Sequence, residues 1–394
     1  MRVAVDATCW GNRRGYGRFT RALLTALLDL DQENQYRFFV DSESEEFPLP
    51  PRAEVCRVAT KVPTLQAAGA DSRRSVPDLW SVAQAIRRSN ANVIFFPSEY
   101  TYVPVITSTP QIVTLHDATS EVVPEMVFPN LRARFFFGAK KRMAVRLARL
   151  LVTVSEYSRR RLLEKLGIPL ERLRVVGEAP DPIFRPLEHP CAEQVESRWG
   201  IPRPAKCLIY VGGFTPHKNL LMLLDVFCEL ARGGKFPDIR LVHVGDYETD
   251  PFHSSYGELA ERVRQMHLEQ QALFTGHLSD EDLVVLLNRS DALVLPSFSE
   301  GFGLPGVEAA ACGKPVLATT ASPLPELLGE GTIAVDPADR AGWLHAIERV
   351  LSDAALRERM SKAALAAAGR LSWKNSARQL LSVLHEVQRN GAPA

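Results

Sequence analysis

Three features are scarce in this sequence of 394 residues: charge of one sign, paired cysteines and long apolar runs. Lys and Arg total 47 against 46 Asp and Glu, and the formal net charge of +1 argues against a nucleic-acid partner. The six cysteines show neither a C-x-x-C pair nor metal-site spacing, which predicts buried free thiols in a reducing compartment. The start, Met1–Asp6, reads as a strand and not as a secretion signal. No uncharged stretch approaches the roughly 20 residues that span a bilayer, so we expect a soluble, cytoplasmic protein.

What is present is an alternation of short β-branched runs with amphipathic helical patterns. This alternation predicts an α/β fold with parallel sheets covered on both faces, and the length predicts two domains. The proline-dense segment 178–186 interrupts the alternation and predicts a linker, with domains at 1–180 and 187–372. The helical tail, 373–394, is expected to cross back to the first domain. Strands are expected at 3–7, 36–40, 92–96, 111–115 and 150–154, and then at 207–211, 240–245, 272–275, 292–295 and 315–319.

The turn after the strand at 292–295 holds the most informative pattern in the chain. Two glutamates, Glu300 and Glu308, bracket the glycine-rich segment Gly301–Val307. Pro305 suits the first turn of a helix, where its missing N–H costs nothing, and the positive end of that helix attracts an anion. Glycines allow close backbone approach, and carboxylates accept hydrogen bonds from hydroxyl groups. The pattern predicts a site for a diphosphate that carries a ribose and a sugar.

A second glycine-rich turn follows the first strand of the second domain. Gly212 and Gly213 follow that strand, and His217 and Lys218 stand at the start of the next helical pattern. Such a turn forms a phosphate cradle, although a tight turn with a solvated lysine fits the same residues. Because ligands of open parallel sheets gather beyond the carboxyl ends of the strands, Lys218 and the Glu300–Glu308 turn are expected at the same edge.

Two other motifs have competing interpretations. The glycines of Gly301-x-Gly303-x-x-Gly306 match a dinucleotide fingerprint, so an NAD-dependent oxidoreductase is an alternative function. That fingerprint requires glycines close behind the strand and an acid at the end of the next strand, and this sequence has neither. Asp280 and Asp282 have the D-x-D spacing of a metal-binding pair. However, Ser279 three residues before Asp282 is typical of a helix cap. We therefore expect no cofactor and no metal requirement.

The ordered set of motifs resembles glycosyltransferase family four (group 1) over nearly the whole chain. The resemblance implies the GT-B fold, in which two Rossmann-like, doubly wound domains face each other across a cleft. It also implies a retaining enzyme with an acceptor-binding first domain and a nucleotide-sugar-binding second domain. The matching segments are Gly15–Phe19, Leu115–Asp117, Val154–Ser158, Gly212–Asn219, Val244–Asp246, Phe274–Leu278 and Glu300-x7-Glu308.

The resemblance also implies roles for individual residues. Glu308 would accept hydrogen bonds from the ribose hydroxyls, Glu300 would meet the donor sugar, and Lys218 would neutralise the diphosphate. In the first domain, the loop from Gly15 to Gly17 would close over the diphosphate, and His116 would face the donor sugar; a structural histidine at a strand end is the alternative. The other donor-binding positions are Gly212, Gly213, His217, His277, Leu278, Phe302, Gly303 and Leu304.

One position departs from the family pattern. Many relatives carry an arginine five positions before the lysine, where this chain has Gly213, or immediately before it, where this chain has His217. The phosphate clamp is therefore incomplete. This departure keeps open a non-catalytic nucleotide-sugar-binding subunit as an alternative function.

A basic segment between residues 132 and 149 contains no acid and interleaves its charges with Phe135–Phe137. Such a segment could dock on anionic lipid at the inner membrane face and present a lipid-linked acceptor. A helix with one core face and one solvated cationic face explains it as well. The residues proposed for peripheral membrane contact are Arg132, Arg134, Lys140, Lys141 and Arg142.

Taken with the resemblance, these patterns predict a retaining hexosyltransferase. The donor is expected to be of the UDP-glucose or GDP-mannose type, and the acceptor a hydroxyl of a glycan or of a lipid-linked glycan in surface polysaccharide biosynthesis. The implied route is front-face substitution, in which the leaving phosphate helps to deprotonate the acceptor. An epimerase of similar fold stays open, because fold does not fix function.

Overall fold

The chain divides into two α/β units. The structure is a computed structural model that describes residues 1–42, 46–64, 75–188, 192–202, 205–247 and 254–391. The first unit comprises Met1–Glu178 together with Ser372–Ala394, and the second comprises Ala179–Leu371. The first boundary falls inside the proline-dense segment, and the second lies just before the last helix.

A parallel sheet forms the centre of the first unit, in the strand order β3-β2-β1-β4-β5-β6-β7. The order reverses between the neighbouring strands β1 and β4. Strands β4, β5 and β6 are buried along their whole length, as expected for strands covered on both faces. The strands are β1 (Arg2–Asp6), β2 (Gln35–Val40), β3 (Glu54–Arg57), β4 (Val93–Phe96), β5 (Gln111–Thr114), β6 (Leu150–Thr153) and β7 (Leu173–Val175).

Helices cover this sheet, and several begin at side-chain caps. Asn130 accepts a hydrogen bond from the backbone N–H of Ala133, and Ser155 accepts one from Ser158, which satisfies donors at two helix starts. The helices are α1 (Gly15–Leu30), α2 (Val76–Arg87), α3 (Thr119–Val122), α4 (Pro124–Val127), α5 (Leu131–Leu147) and α6 (Glu156–Leu166).

The last helix of the chain, α15 (Trp373–Gly391), belongs to the first unit and packs on α1. Its buried residues recur every three or four positions, so they form one apolar stripe. Those residues are Ala377, Leu380, Val383, Leu384 and Val387. The Trp373 ring lies 6.1 Å from Phe19, and Glu386 pairs with Arg174 at 2.6 Å. The predicted return of the tail to the first domain is confirmed.

A second parallel sheet, in the order β10-β9-β8-β11-β12-β13, organises the second unit. Its order reverses between β8 and β11. The strands are β8 (Cys207–Val211), β9 (Arg240–Val244), β10 (Ala272–Gly276), β11 (Ala292–Leu295), β12 (Val316–Thr319) and β13 (Thr332–Val335). The helices are α7 (Ala192–Trp199), α8 (Leu220–Arg232), α9 (Tyr256–Gln265), α10 (Asp280–Arg289), α11 (Leu304–Ala311), α12 (Leu324–Leu328), α13 (Arg340–Ser352) and α14 (Ala354–Ala368).

The ten strands expected from the sequence are all present, with ends that differ by at most one residue. Strands β3, β7 and β13 were not predicted, and each lies at an edge of its sheet. Most of their residues, with the exceptions of Leu173 and Val335, are exposed or only partly buried, so they lack the fully buried apolar run that marks a central strand. The expected capping of α10 is confirmed, since Ser279 Oγ accepts the N–H of Asp282 at 3.2 Å.

The cysteines are free thiols wherever the structure describes them. Cys9, Cys207, Cys228 and Cys312 are buried and Cys56 is partly buried, whereas Cys191 lies outside the described residues. Burial raises the pKa of Cys9 to about 12, which keeps that thiol protonated and unreactive at neutral pH.

Among the described helices, none combines the length and the apolar character that crossing a bilayer requires.

Candidate functional site

Two of the three charged residues predicted in the second unit, Lys218 and Glu300, contact each other. Lys218 Nζ lies 2.8 Å from Glu300 Oε1, and these side chains are 19% and 12% exposed. Ser297 Oγ donates to the same oxygen at 2.6 Å. Both of these donors reach Oε1, and within the described chain the structure gives Glu300 Oε2 no protein donor. The pair thus presents an oriented ammonium and an oriented carboxylate oxygen.

Topology explains why residues 82 positions apart meet. Lys218 closes a short 3₁₀ turn (Pro216–Lys218) after β8, and Glu300 follows β11, the neighbouring strand. The sheet order reverses between these two strands, which is where open α/β sheets bind their ligands. Asn219 fixes the turn, because its side-chain amide donates to the carbonyls of Pro296 and Pro337 at 3.2 and 2.8 Å.

The packing of Leu324 explains the glycines at the start of α11. Gly303 is the N-cap of α11 and has a left-handed backbone, with φ of 79°, a conformation that favours glycine. A Cβ at Gly303 or at Gly306 would lie 2.8 or 2.7 Å from Leu324 of α12. Close approach of α11 to Leu324 therefore requires both glycines, in addition to any backbone contact with a ligand.

Glu308 lies inside α11 and is only 1% exposed. Pro305 occupies the first turn of that helix, as predicted. Phe302 and Leu304 are buried as well, so their expected contribution to a ligand would come from the backbone.

The remaining positions predicted to bind the donor lie at the ends of β8 and β10. Tyr210 Oη donates to the carbonyl of Gly213 at 2.6 Å, and a Cβ at Gly212 would lie 2.7 Å from the same Oη atom. His217 accepts the N–H of Phe298 at its carbonyl at 2.8 Å, which ties the lysine turn to the β11 loop. His277 is exposed and Leu278 half-buried directly after β10.

In the first unit, His116 directly follows the β5 region and is buried, with 7% exposure. Its Nε2 lies 3.1 Å from the carbonyl of Pro97, and its ring meets Phe19 edge-on at 5.0 Å. Burial lowers the pKa of His116 to about 4, so the imidazole is neutral at pH 7. With Nε2–H donating to a carbonyl, Nδ1 carries the lone pair and can accept a hydrogen bond from a hydroxyl group.

The predicted loop from Gly15 to Gly17 is the first turn of α1, because that helix begins at Gly15 and not after the motif. A Cβ at Gly17 would lie 2.0 Å from the carbonyl oxygen of Asn12, whereas one at Gly15 would meet nothing within 4 Å. Tyr16 between them stacks on Tyr100 at 5.1 Å and lies 6.4 Å from the His116 ring. The structure therefore brings the glycine motif beside His116.

Two buried charged residues lie near His116 and are absent from the site predicted from the sequence. Glu99 is 1% exposed, and its two carboxylate oxygens lie 3.3 and 3.2 Å from the backbone nitrogen of His116. Lys141 is 2% exposed and donates to the carbonyl of Asp117 at 3.1 Å. Glu99 belongs to no motif, and only its place after β4, beside β5 in the sheet, could have indicated it.

The burial of Lys141 corrects the predicted membrane surface. Its ammonium pairs with Glu121 at 2.8 Å inside the unit, so it cannot face lipid. Lys140 is half-buried and donates to the carbonyl of Tyr100 at 2.9 Å. Both side chains point into the first unit because their hydrogen-bond partners, two backbone carbonyls and the Glu121 carboxylate, lie inside that unit. The other three members of the set, Arg132, Arg134 and Arg142, are exposed on α5.

No group of three or more His, Cys, Asp or Glu side chains that could hold a metal occurs among the described residues. The expectation that activity needs no metal stays a prediction.

Comparison with known families accounts for most of the chain. The model described as "Glycosyltransferase Family 4" matches residues 13–182, and the model described as "Glycosyl transferases group 1" matches residues 193–367. The first match covers most of the first unit and ends just past its boundary at Glu178, and the second match lies inside the second unit.

Relatives of known name match at moderate identity. The O-antigen chain mannosyltransferase B of Escherichia coli is 29% identical over 277 residues, which is 69% of this chain and 69% of the relative. A D-inositol 3-phosphate glycosyltransferase of Corynebacterium efficiens is 29% identical over 221 residues, which is 55% of this chain and 51% of that protein. The match thus spans only about half of the second relative.

Solved structures match over the full length. Sucrose-phosphate synthase from Thermosynechococcus elongatus superposes with a TM-score of 0.78 at 18% identity, covering 98% of this chain and 99% of the other. Anabaena HepE in complex with UDP-glucose gives 0.75 at 18% identity, with the same coverage of both chains. At these identities the likeness shows the fold, which is GT-B.

Proposed function

This chain belongs to the group 1 glycosyltransferases of family four, and from that premise we propose that it transfers a hexosyl group, with retention, from a nucleotide-diphosphate sugar. The acceptor is a hydroxyl of a glycan or of a lipid-linked glycan in surface polysaccharide biosynthesis. The observation that carries the proposal is the Lys218–Glu300 pair at the switch point of the second sheet.

The second unit holds the diphosphate in this proposal. Lys218 uses one N–H on Glu300, and the ammonium has two more for phosphate oxygens. The N-terminus of α11 adds a positive helix end beside the glycine turn. The leaving diphosphate gains negative charge in the transition state, and one well-placed donor commonly contributes about 3 kcal/mol to its stabilisation.

Hydroxyl groups of the donor meet the acids and the histidine. Glu300 Oε2 accepts from the sugar, because Lys218 and Ser297 hold the carboxylate through Oε1. Glu308 accepts from the ribose. The role proposed for His116 is to offer its Nδ1 lone pair to a hydroxyl of the donor sugar while it stays uncharged.

Retention follows if the new bond forms on the face that the leaving group departs from. The bond between the anomeric carbon and the phosphate oxygen breaks, the acceptor oxygen bonds to the same carbon, and the acceptor proton passes to the leaving phosphate. No protein nucleophile takes part, so no pair of carboxylates needs to flank the anomeric carbon as in a glycosidase.

Mannose is the first candidate for the transferred sugar. It is supported by the name of the E. coli mannosyltransferase relative, whose match covers 69% of both chains. A GDP-mannose-type donor is thus preferred, and UDP-glucose is the alternative.

Thermal stabilisation and turnover with a panel of donors test this proposal. The purified chain is melted with GDP-mannose, UDP-glucose, ADP-glucose and NAD, and then incubated with each donor and acceptor glycans. Stabilisation by one nucleotide sugar, with a product of retained anomeric configuration by NMR, is expected, and activity should survive EDTA. Stabilisation by NAD alone would overturn the proposal.

The incomplete phosphate clamp keeps one competing function testable. If the chain were a non-catalytic binding subunit, a nucleotide sugar would stabilise it, yet neither transfer nor donor hydrolysis would exceed background. The proposed transferase instead consumes the donor at a rate that depends on Lys218.

We also propose that an exposed part of α5 contacts an anionic membrane that carries the acceptor. Phe135 and Phe136 are 66% and 59% exposed beside Arg132, Arg134 and Arg142, a combination that suits an anionic lipid surface. The chain should co-sediment with phosphatidylglycerol vesicles and not with phosphatidylcholine vesicles. The double variant Phe135→Ser, Phe136→Ser should lose this binding, and retained binding would refute the assignment.

A further inference from the structure

The turn that carries His116 is held on two sides by buried charged side chains. On one side, the His116 backbone N–H points at the Glu99 carboxylate, 3.3 and 3.2 Å from its two oxygens. On the other side, the carbonyl of Asp117 accepts a hydrogen bond from Lys141 Nζ at 3.1 Å. The two ends of this short segment are therefore fixed by opposite charges.

Burying such charges is costly unless each one is paired and hydrogen-bonded. Lys141 meets this condition, because it also donates to Glu121 at 2.8 Å and to Ser120 Oγ at 3.2 Å. Burial lowers the pKa of Lys141, but the nearby charges of Glu121, Glu99 and Asp117 outweigh this effect and raise it above its ordinary value. The ammonium thus stays charged inside the unit.

The segment after β4 fixes the ring of His116 as well as its backbone. Pro97 contributes the carbonyl that meets Nε2 at 3.1 Å, and Glu99, two residues later, contributes the carboxylate that meets the backbone N–H. Phe19 of α1 closes one side of the imidazole at 5.0 Å. The direction of Nδ1 consequently depends on these contacts.

We propose that Glu99 and Lys141 are positioning residues that hold the His116–Asp117 turn so that the imidazole meets the donor sugar in the reactive geometry. This inference rests on the proposed function, since it gives His116 a substrate to meet. Neither residue needs to touch the substrate, and both act through the backbone of the turn.

Because Glu99 can ionise, its hold on the His116–Asp117 turn depends on pH, which would not be so for an uncharged side chain. Burial raises the pKa of Glu99 to about 7, with Lys141 opposing this rise and Asp117 adding to it. Since His116 stays neutral well below pH 7, Glu99 takes up its proton first on acidification, and the grip on the turn weakens. The ionisable groups that face this cluster from the neighbouring elements are Tyr16, Tyr100, Asp117, Glu121 and Lys141.

Glu99→Gln and Lys141→Met test the proposal, with the exposed residues Glu125→Gln and Arg146→Met as matched controls. We expect kcat to fall about tenfold to a hundredfold in the two test variants, the range that a small misplacement of a reacting group costs. The Kd for the bare nucleotide diphosphate should stay within about twofold, because that ligand is assigned to the second unit.

The pH profile separates positioning from mere folding. Wild-type kcat should fall on the acid side with a midpoint near the pKa of Glu99, about 7, and Glu99→Gln should lose this limb while staying folded. Full kcat with an unchanged profile in Glu99→Gln would overturn the proposal. If Lys141→Met fails to fold, Glu99→Gln alone decides.

A measurement that needs no turnover completes the test. In chain labelled with ¹⁵N-histidine, the backbone amide and ring signals of His116 should shift in Glu99→Gln and not in Glu125→Gln. An unmoved His116 signal would overturn the proposal even in an active enzyme. If the wild-type chain transferred no sugar from any donor, the proposed function would fail and the catalytic part of this inference with it, whereas the shifted signals would still identify the grip on the turn.

Discussion

The two units use charged side chains in opposite ways around the turns that follow their strands. In the second unit, Lys218 and Glu300 are 19% and 12% exposed after β8 and β11, where a ligand can reach them. In the first unit, the side chains of Glu99 and Lys141 are almost fully buried near the ends of β4 and β5 and grip a backbone turn. In the proposed function, the second unit therefore offers its charges to the substrate, whereas the first unit uses its charges to hold a neutral histidine.

The largest expected effect comes from the exposed pair. Lys218→Ala should lower kcat about a hundredfold, because a donor to the leaving diphosphate is lost. The exposed Lys235→Ala is the control and should keep wild-type turnover. Steady-state kinetics with the preferred donor measure the difference. Full activity in Lys218→Ala would contradict this role of Lys218, since the charge on the diphosphate would then be neutralised by another group.

A smaller effect concerns a buried histidine that has no ion pair among the described residues. His243 stacks on Phe274 at 4.9 Å in the second unit, and burial lowers its pKa to about 4. Since the unfolded chain binds this proton near pH 6.5, stability is present above that pH and is lost as the pH falls towards 4.

Between pH 7 and 5, the free energy of unfolding should therefore drop by about 2 kcal/mol on account of His243. Denaturant unfolding at the two pH values should show a smaller drop in His243→Phe and an unchanged drop in the exposed control His345→Phe. Equal drops in wild type and His243→Phe would show that this ring binds its proton as readily in the folded unit as in the unfolded chain.

The smallest expected effect separates packing from ligand contact at the glycines. Gly306→Ala should destabilise the second unit by at least about 1 kcal/mol, because the new Cβ overlaps Leu324. In a Leu324→Ala background the cost should shrink, as a double-mutant cycle would show. Gly257→Ala, with open space at its Cβ, is the control and should be neutral or slightly stabilising. An additive cycle would mean that Leu324 does not explain the glycine.

Most of the fold could be predicted because central strands of a parallel sheet are continuous apolar runs. Residues 93–96 and 292–295 are apolar and buried throughout, and such runs can be recognised from the sequence alone. The edge strands β3 and β7 contain Glu54, Arg57 and Arg174. Their pairing depends on a neighbour far away in sequence, which local patterns do not reveal.

The residues of the candidate site also divide into those that local sequence patterns indicate and those that depend on distant segments. Lys218 and Glu300 were predictable because glycine and proline residues mark the turns at strand ends in the sequence. Glu99, Ser297 and the burial of Lys141 were not, since each depends on a contact between distant segments. A basic helix of the α5 type looks uniform in sequence, yet Lys141 turns inward and Arg142 outward.

The packing of α15 on α1 has a consequence for biosynthesis. A ribosome must translate the whole of residues 179–371 before it reaches the helix that covers Phe19 and pairs with Arg174. The second unit is continuous and can fold as it emerges. The first unit, although synthesised earlier, can be completed only afterwards, and until then the surface that receives Leu380 and Leu384 stays accessible to chaperones.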